Sequence, residues 1–188
     1  MLAPSPNALY NSTIISREGK GMFREMRRKK QILSEEEAIR ILNKGTSGVL
    51  ALSGDDGYPY ALPISYVYAD SRLYFHSAKT GHKIDAIQKC RKASFCVVEQ
   101  DLVVPEKYTT FYRSVIAFGS IRILEKKAEI RRAIELLAVK YHPADTETGR
   151  KAVIQKDYDR LCMIEMSIEH RSGKEAVELV NEPPVSRS

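Results

Sequence analysis

The stretch SGVLALSGDDGYPYALPISYVYA, residues 47–69, holds two strand-like runs, SGVLALS and YALPISYVYA, joined by GDDGYP. Asp56-Gly57 marks a hairpin, because two-residue loops of the favoured twist need positive φ, which glycine supplies at little cost. A third run, RLYFHS (72–77), follows Ala69-Asp70-Ser71 and completes a three-stranded meander. Upstream, Ser34-Glu35-Glu36-Glu37 reads as a capping box in which Ser34 is the N-cap and Glu37 returns the bond. It opens a short helix with Ala38, Ile41 and Leu42 on one face, stopped by Gly45.

Downstream, a short helix beginning around Thr80-Gly81-His82-Lys83 carries Ile84 and Ile87 inward. The strand ASFCVVE follows, with Cys96 in the core, then a loop, DLVVPEKYTTF, and a long strand, YRSVIAFGSIRIL. From 128 to 141, Ile130, Ala133, Ile134, Leu137, Ala138 and Tyr141 recur at helical spacing, with Arg131, Arg132 and Glu135 opposite. Last, Cys162, Ile164, Met166 and Ile168 alternate with Met163, Glu165, Ser167 and Glu169, the pattern of a half-buried strand with one wet face. Six or so antiparallel strands with a few helices argue for a mainly β fold, a closed or nearly closed barrel with helical flanks, since closure removes exposed edges.

At 188 residues, with 43% hydrophobic and 29% charged residues, the chain suits one domain with its own core. Residues 1–21 are expected to form a flexible arm, 22–180 the folded domain and 181–188 a disordered tail. Cys90, Cys96 and Cys162 form no CxxC pair and leave an odd one over, which suggests free buried thiols and neither a disulfide framework nor a metal site. No signal peptide and no apolar run near ~20 residues is visible, so no membrane contact and a cytoplasmic location are expected. The net charge of +6 is concentrated locally in Arg24, Arg27, Arg28, Lys29 and Lys30. Such a run can mark a nucleic-acid patch but is more often a solvated segment, and no helix-turn-helix or aromatic RNA-binding pattern accompanies it.

FHSAKTGHK, residues 75–83, gathers His76, Ser77, Lys79, Thr80, His82 and Lys83 between a strand end and the first turn of a helix. Helix N-termini offer unpaired N–H groups and a partial positive charge, so the turn reads as a phosphate cradle with Thr80 as N-cap and Gly81 allowing close backbone approach. An ordinary solvated turn is the other reading. His76 alternates with Phe75, so one of the two faces inward.

The order hairpin, FHSAKTGHK, short helix, SFCVV and YRSVIAFGSIRIL resembles the nitroimidazole-resistance branch of the pyridoxamine 5′-phosphate oxidase-like superfamily, over residues 22–168. The resemblance implies a six-stranded split barrel that binds FMN between the two chains of a homodimer. It implies Pro63, Ile64 and Ser65 along the flavin ring and ribityl chain, with Tyr66 at a position the oxidases fill with lysine. His82 and Lys83 fall at an arginine-lysine pair that holds the phosphate, and Ser77 joins them. Ser114 stands where the oxidases carry a glutamine near the ring, and His76 is the candidate catalytic residue. NADH or NADPH as hydride donor and a small nitroaromatic acceptor follow from the same resemblance. The chain has no tryptophan and lacks the C-terminal arginine-histidine pattern of the oxidases, which argues against vitamin B6 oxidation. A flavin-binding module without turnover and haem binding on the same barrel are the alternatives.

Overall fold

The computed structural model describes residues 23–180; the expected arm (1–21) and tail (181–188) lie outside the described residues. Seven strands form one sheet: β1 (Ser47–Ser53), β2 (Pro59–Ser65), β3 (Val67–Ala69), β4 (Arg72–Ser77), β5 (Lys92–Val104), β6 (Thr109–Ile123) and β7 (Cys162–Glu175). Their order is β2-β1-β5-β6-β7-β4-β3, and each neighbouring pair is antiparallel.

The expected six-stranded barrel is corrected here: the run 60–69 is not one strand but two, broken at Tyr66. The two end strands of the sheet, β2 and β3, are therefore consecutive in the chain, and the sheet curls until its ends meet. No ladder joins β2 to β3, so the sheet stays open. Tyr66 is wholly buried, edge-on to Phe95 at 4.8 Å, and its hydroxyl donates to the Leu42 carbonyl at 2.7 Å. Tyr66 keeps the inward parity of Tyr60, Leu62 and Ile64, so the break is one of pairing and not of facing: its N–H meets the Tyr141 hydroxyl at 3.1 Å, and the chain passes there from the β1 ladder to the β4 ladder.

Turn chemistry follows from local residues. Asp56 and Gly57 take positive φ, as expected, but within a five-residue connection in which the Gly54 N–H donates to the Tyr58 carbonyl at 2.8 Å. Asp70 and Ser71, both at positive φ, make the two-residue turn between β3 and β4. The predicted loop 101–111 is instead ladder: β5 and β6 pair out to Val104 and Thr109, leaving a connection at Pro105–Tyr108.

Among the described residues four α-helices flank the sheet: α1 (Glu35–Lys44), α2 (His82–Lys89), α3 (Lys127–Tyr141) and α4 (Glu147–Asp157). Ser34 caps α1 by accepting from the Glu37 N–H at 3.1 Å. The Glu37 carboxylate does not complete a capping box; it accepts from Arg40, which also grips Glu99 on β5 with two 2.7 Å bonds. Gly45 ends the helix in extended backbone, and there a Cβ would lie 2.6 Å from the Tyr66 hydroxyl, so close approach requires the glycine. At α2 the N-cap is Gly81, at φ 119°, in place of Thr80.

Inside the sheet, Leu50, Leu73, Phe75, Phe95, Val115, Ile121, Ile164 and Met166 are solvent-free and join Ile41 and Leu42 of α1 and Ile84 and Ile87 of α2. Burying each large side chain contributes about 1.5–3 kcal/mol relative to exposure. Cys96, expected in this core, faces outward half-buried, because the inward positions of β5 are Phe95 and Val97. Cys90 is also half-buried and only Cys162 is buried; all three are free thiols. The predicted wet face of β7 is covered over its first half, while Ser167 is half-buried and Glu169 exposed. Met163 is wholly buried under α3 with Val67, Tyr74, Leu124, Ala133 and Leu137, and Glu165 is buried against Arg122 at 3.0 Å. Helix α4 was not expected, because it buries a single residue, Ile154, and so carries almost no apolar stripe.

Two stability predictions follow from these contacts. Tyr66→Phe leaves the Leu42 carbonyl without its buried partner and should cost about 1–3 kcal/mol in urea unfolding; an unchanged midpoint would show that the bond does not hold the break. Arg40 keeps the Glu99 carboxyl below its ordinary range by hydrogen bonding. A depressed folded pKa stabilises above the unfolded value of ~4.3 and is lost as pH falls through the folded one. Glu99→Gln should therefore lower stability at pH 7 and flatten its decline below about pH 4.

Candidate functional site

The turn between β4 and α2 carries most of the predicted residues. On β4, Leu73, Phe75 and Ser77 point inward and are buried, while His76 points outward and is exposed. The inward member of the Phe75–His76 pair is thus Phe75. Ser77 lies opposite Cys162 of β7. The Gly81 carbonyl accepts from Ile84 N–H at 2.8 Å and Asp85 N–H at 3.2 Å, so the His82 and Lys83 amides open the helix ahead of its first internal bonds. A Cβ on Gly81 would touch nothing within 4 Å; the glycine answers to its φ of +119° and not to crowding.

Lys83 is half-buried, and burial pushes its ammonium below the ordinary lysine range, with the nearby Cys162 acting in the opposite direction. Burial also raises the Cys162 thiol, offset by Lys83 and Lys79. Among the described residues no carboxylate pairs with Lys83. His82 behaves differently: its ring stacks on Tyr60 at 4.1 Å and its Nε2 lies 3.4 Å from Asp55, which also holds Lys89 at 2.7 Å. The imidazole is tied to the β1–β2 connection.

The second part of the site is a cavity of about 620 Å³. Pro63, Ile64, Ser65 and His76 line one side, and α3 and α4 line the other. Because β2 is an end strand, the backbone groups along its free edge are not used in the sheet. At the corner the Tyr141 hydroxyl accepts from the Tyr66 N–H at 3.1 Å and also contacts the Thr46 carbonyl, while Lys140 donates to the Gly45 carbonyl at 2.5 Å. These bonds clamp α3 to the break that ends β2. Sequence reasoning missed the helical wall. Ile134, Leu137, Ala138 and Tyr141 were visible as one face of α3, but nothing local said that part of that face borders a cavity. For α4 the one available signal was Thr146, whose side chain accepts from Gly149 N–H at 3.0 Å as N-cap.

Two predicted residues stand elsewhere. The Tyr66 side chain lies in the core, so only its backbone borders the site. Ser114 is on the outer face of β6, opposite Val98 and Lys174, and does not line the His76 cavity. Tyr108 is 98% exposed at left-handed φ, and Phe111 and Tyr112 lie under Lys107 and Lys174. In the basic lead-in, Lys29 pairs with Glu25 at 3.6 Å and Arg28 with Gln31 at 3.4 Å, while Phe23 stacks on His170. Among the described residues, no cluster of His, Cys, Asp or Glu could hold a metal, and no helix is long and apolar enough to cross a membrane.

This architecture matches known proteins. A candidate 5-nitroimidazole antibiotic resistance protein from Bacteroides thetaiotaomicron superposes with TM-score 0.66 at 18% identity, covering 77% of this chain and 86% of the other. A conserved hypothetical protein from Mycobacterium tuberculosis gives 0.71 at 18% identity, with 87% and 98% covered. An FAD-binding protein from Mesorhizobium loti gives 0.58 at 24% identity, with 78% and 97% covered. At these identities the likeness is one of fold. No curated protein matches the sequence. The family model for pyridoxamine 5′-phosphate oxidase matches residues 34–175, from the cap of α1 to the end of β7. The chain therefore belongs to the pyridoxamine 5′-phosphate oxidase family.

Proposed function

We propose that this chain is a homodimeric FMN-dependent oxidoreductase of the nitroimidazole-resistance type, taking electrons from NADH or NADPH and reducing a small acceptor such as a nitroaromatic. The observation that carries the reading is Lys83. A half-buried ammonium with no carboxylate partner among the described residues, set at a helix start near Cys162, which the buried Ser77 faces across the ladder, lacks an anion. A phosphoryl group supplies one. Charge-assisted bonds from Lys83, the opening amides of α2 and the Ser77 hydroxyl would hold it. His82, already engaged by Asp55 and Tyr60, contributes less than the arginine it replaces.

The free edge of β2 at Pro63, Ile64 and Ser65 suits the rim of a planar heterocycle whose donors and acceptors it can meet through backbone groups. A flavin, when bound, supplies hydride and electron transfer between nicotinamide and acceptor. The protein's share is to orient the two and exclude water, and the imidazole of His76, on the cavity wall, can hold or deliver a proton to the acceptor. Support for two chains comes from the outer sheet face, where Val49, Val98 and Ile116 are 43%, 59% and 38% exposed and stand near Pro63, Cys96 and Ser114 in the ladder. Burying that face against a second copy would cover Ser114 as well. The FAD-binding relative supports a flavin in general, so the cofactor released from purified protein decides between mono- and dinucleotide.

Lys83→Ala should weaken FMN binding ~10- to 100-fold, the range of a lost charge-assisted bond, with the far-UV spectrum unchanged; wild-type occupancy in the variant would remove Lys83 from the site. His76→Asn should keep flavin bound and cut acceptor reduction by ~100-fold or more, leaving flavin reduction by the nicotinamide near wild type. A colourless protein that takes up neither flavin overturns the reading altogether.

A further inference from the structure

We infer that the α3–α4 wall opposite His76 forms a binding pocket for uncharged or cationic aromatic molecules, and that Asp157 sets this selectivity against anions. As the acceptor's seat the pocket rests on the flavin reading above, but its charge preference is a property of the wall itself.

A cavity of about 620 Å³ lies within the range of small-molecule sites. Its helical side is aliphatic: Ile134, Leu137 and Ala138 from α3, Val153 and Ile154 from α4, and Leu161 beyond them. Val153 is 63% exposed, a valine left open at the margin of the space. The charge distribution is the deciding feature. The chain carries net +6, and α3 and α4 are rich in lysine and arginine, yet no lysine or arginine lines the cavity; its one basic side chain is the imidazole of His76, across from the helices.

Lys156 and Arg160 flank the exposed Asp157 in sequence but do not line the cavity, and five other cations of α3 and α4 are directed elsewhere. Arg131 lies over the Tyr158 ring at 5.6 Å, Arg132 pairs with Asp70, and Lys140 covers the Tyr66 ring at 4.3 Å. Arg150 donates to the Asp145 carbonyl and Lys151 to Glu147. Among the described residues the one carboxylate in the wall is Asp157, the last residue of α4, where the helix's C-terminal carbonyls add partial charge of the same sign. A ligand carboxylate or phosphate lying against the helices would meet that charge with no lysine or arginine in the lining to offset it. The two ends of the site thus have opposite preferences: the Lys83 turn accepts an anion and the helical wall rejects one.

The test uses the full chain as purified, with flavin content read separately by absorbance. Isothermal titration with nitrobenzene, 4-nitrobenzylammonium and 4-nitrobenzoate should show the anion ~10-fold or more weaker than the neutral ring, equivalent to about 1.4 kcal/mol. Affinity should rise by roughly fourfold for each methylene added to a 4-alkyl-nitrobenzene. Asp157→Asn should level the cation and the neutral ligand, and Asp157→Lys should reverse the order, both with melting temperatures near wild type. Because the chain has no tryptophan, Val153→Trp places a single indole at the cavity, and saturable quenching of it by nitrobenzene locates the binding. Equal affinity for the anion, or an order that Asp157→Lys leaves unchanged, overturns the inference. So does a blue-shifted indole that no ligand quenches, which would mean that a protein segment already fills the space. Discrimination that persists in a protein unable to take up flavin would sink the flavin reading and leave this one standing.

Discussion

The buried ring of Tyr66 is the constraint on which the rest of the molecule turns. Its hydroxyl reaches the last turn of α1 at Leu42, and its backbone N–H meets Tyr141 at the end of α3. One residue therefore joins two helices and both ends of the sheet. The chain changes ladders at this residue: β2 stops at Ser65, its last residue paired with β1, and β3 begins at Val67, paired with Tyr74 of β4. The sheet then curls so that its first and last strands are one segment. A free strand edge, normally a hazard for edge pairing, is left at the place where the cavity opens.

That geometry separates two chemical environments a short distance apart. On the inner side of β4, Ser77 and the start of α2 make a cationic turn whose lysine is desolvated and has no carboxylate partner among the described residues. On the outer side, His76 looks into an aliphatic space with one carboxylate. Strand alternation places them: neighbouring residues of a strand point to opposite faces, so adjacent positions 76 and 77 serve different halves of the site.

Some parts of this were legible from local residues. Ser34 as the cap of α1, positive φ at Asp56 and Gly57, the apolar face of α3 and the strand character of 93–99 and of 112–124 as far as Ile123 all rest on short-range rules, and the structure keeps them. Others were misread because a distant element changed the environment. Met163 and Glu165 alternate as though facing water, but α3 lies over them. Cys96 looks like core because its neighbours are apolar, yet strand parity turns it outward. Helix α4 escaped notice because a helix that lines a cavity buries too few side chains to show a stripe.

By itself, then, the amino-acid order determined periodicity, capping, turns and the family pattern from Ser34 to Glu175, since each depends on residues within a few positions of one another. Tertiary structure alone decided that 60–69 breaks at Tyr66, that Ser114 stands away from the His76 cavity, and that two helices wall that cavity without offering a cation. Those outcomes depend on contacts between residues such as Tyr66 and Tyr141, 75 positions apart, which no local pattern encodes.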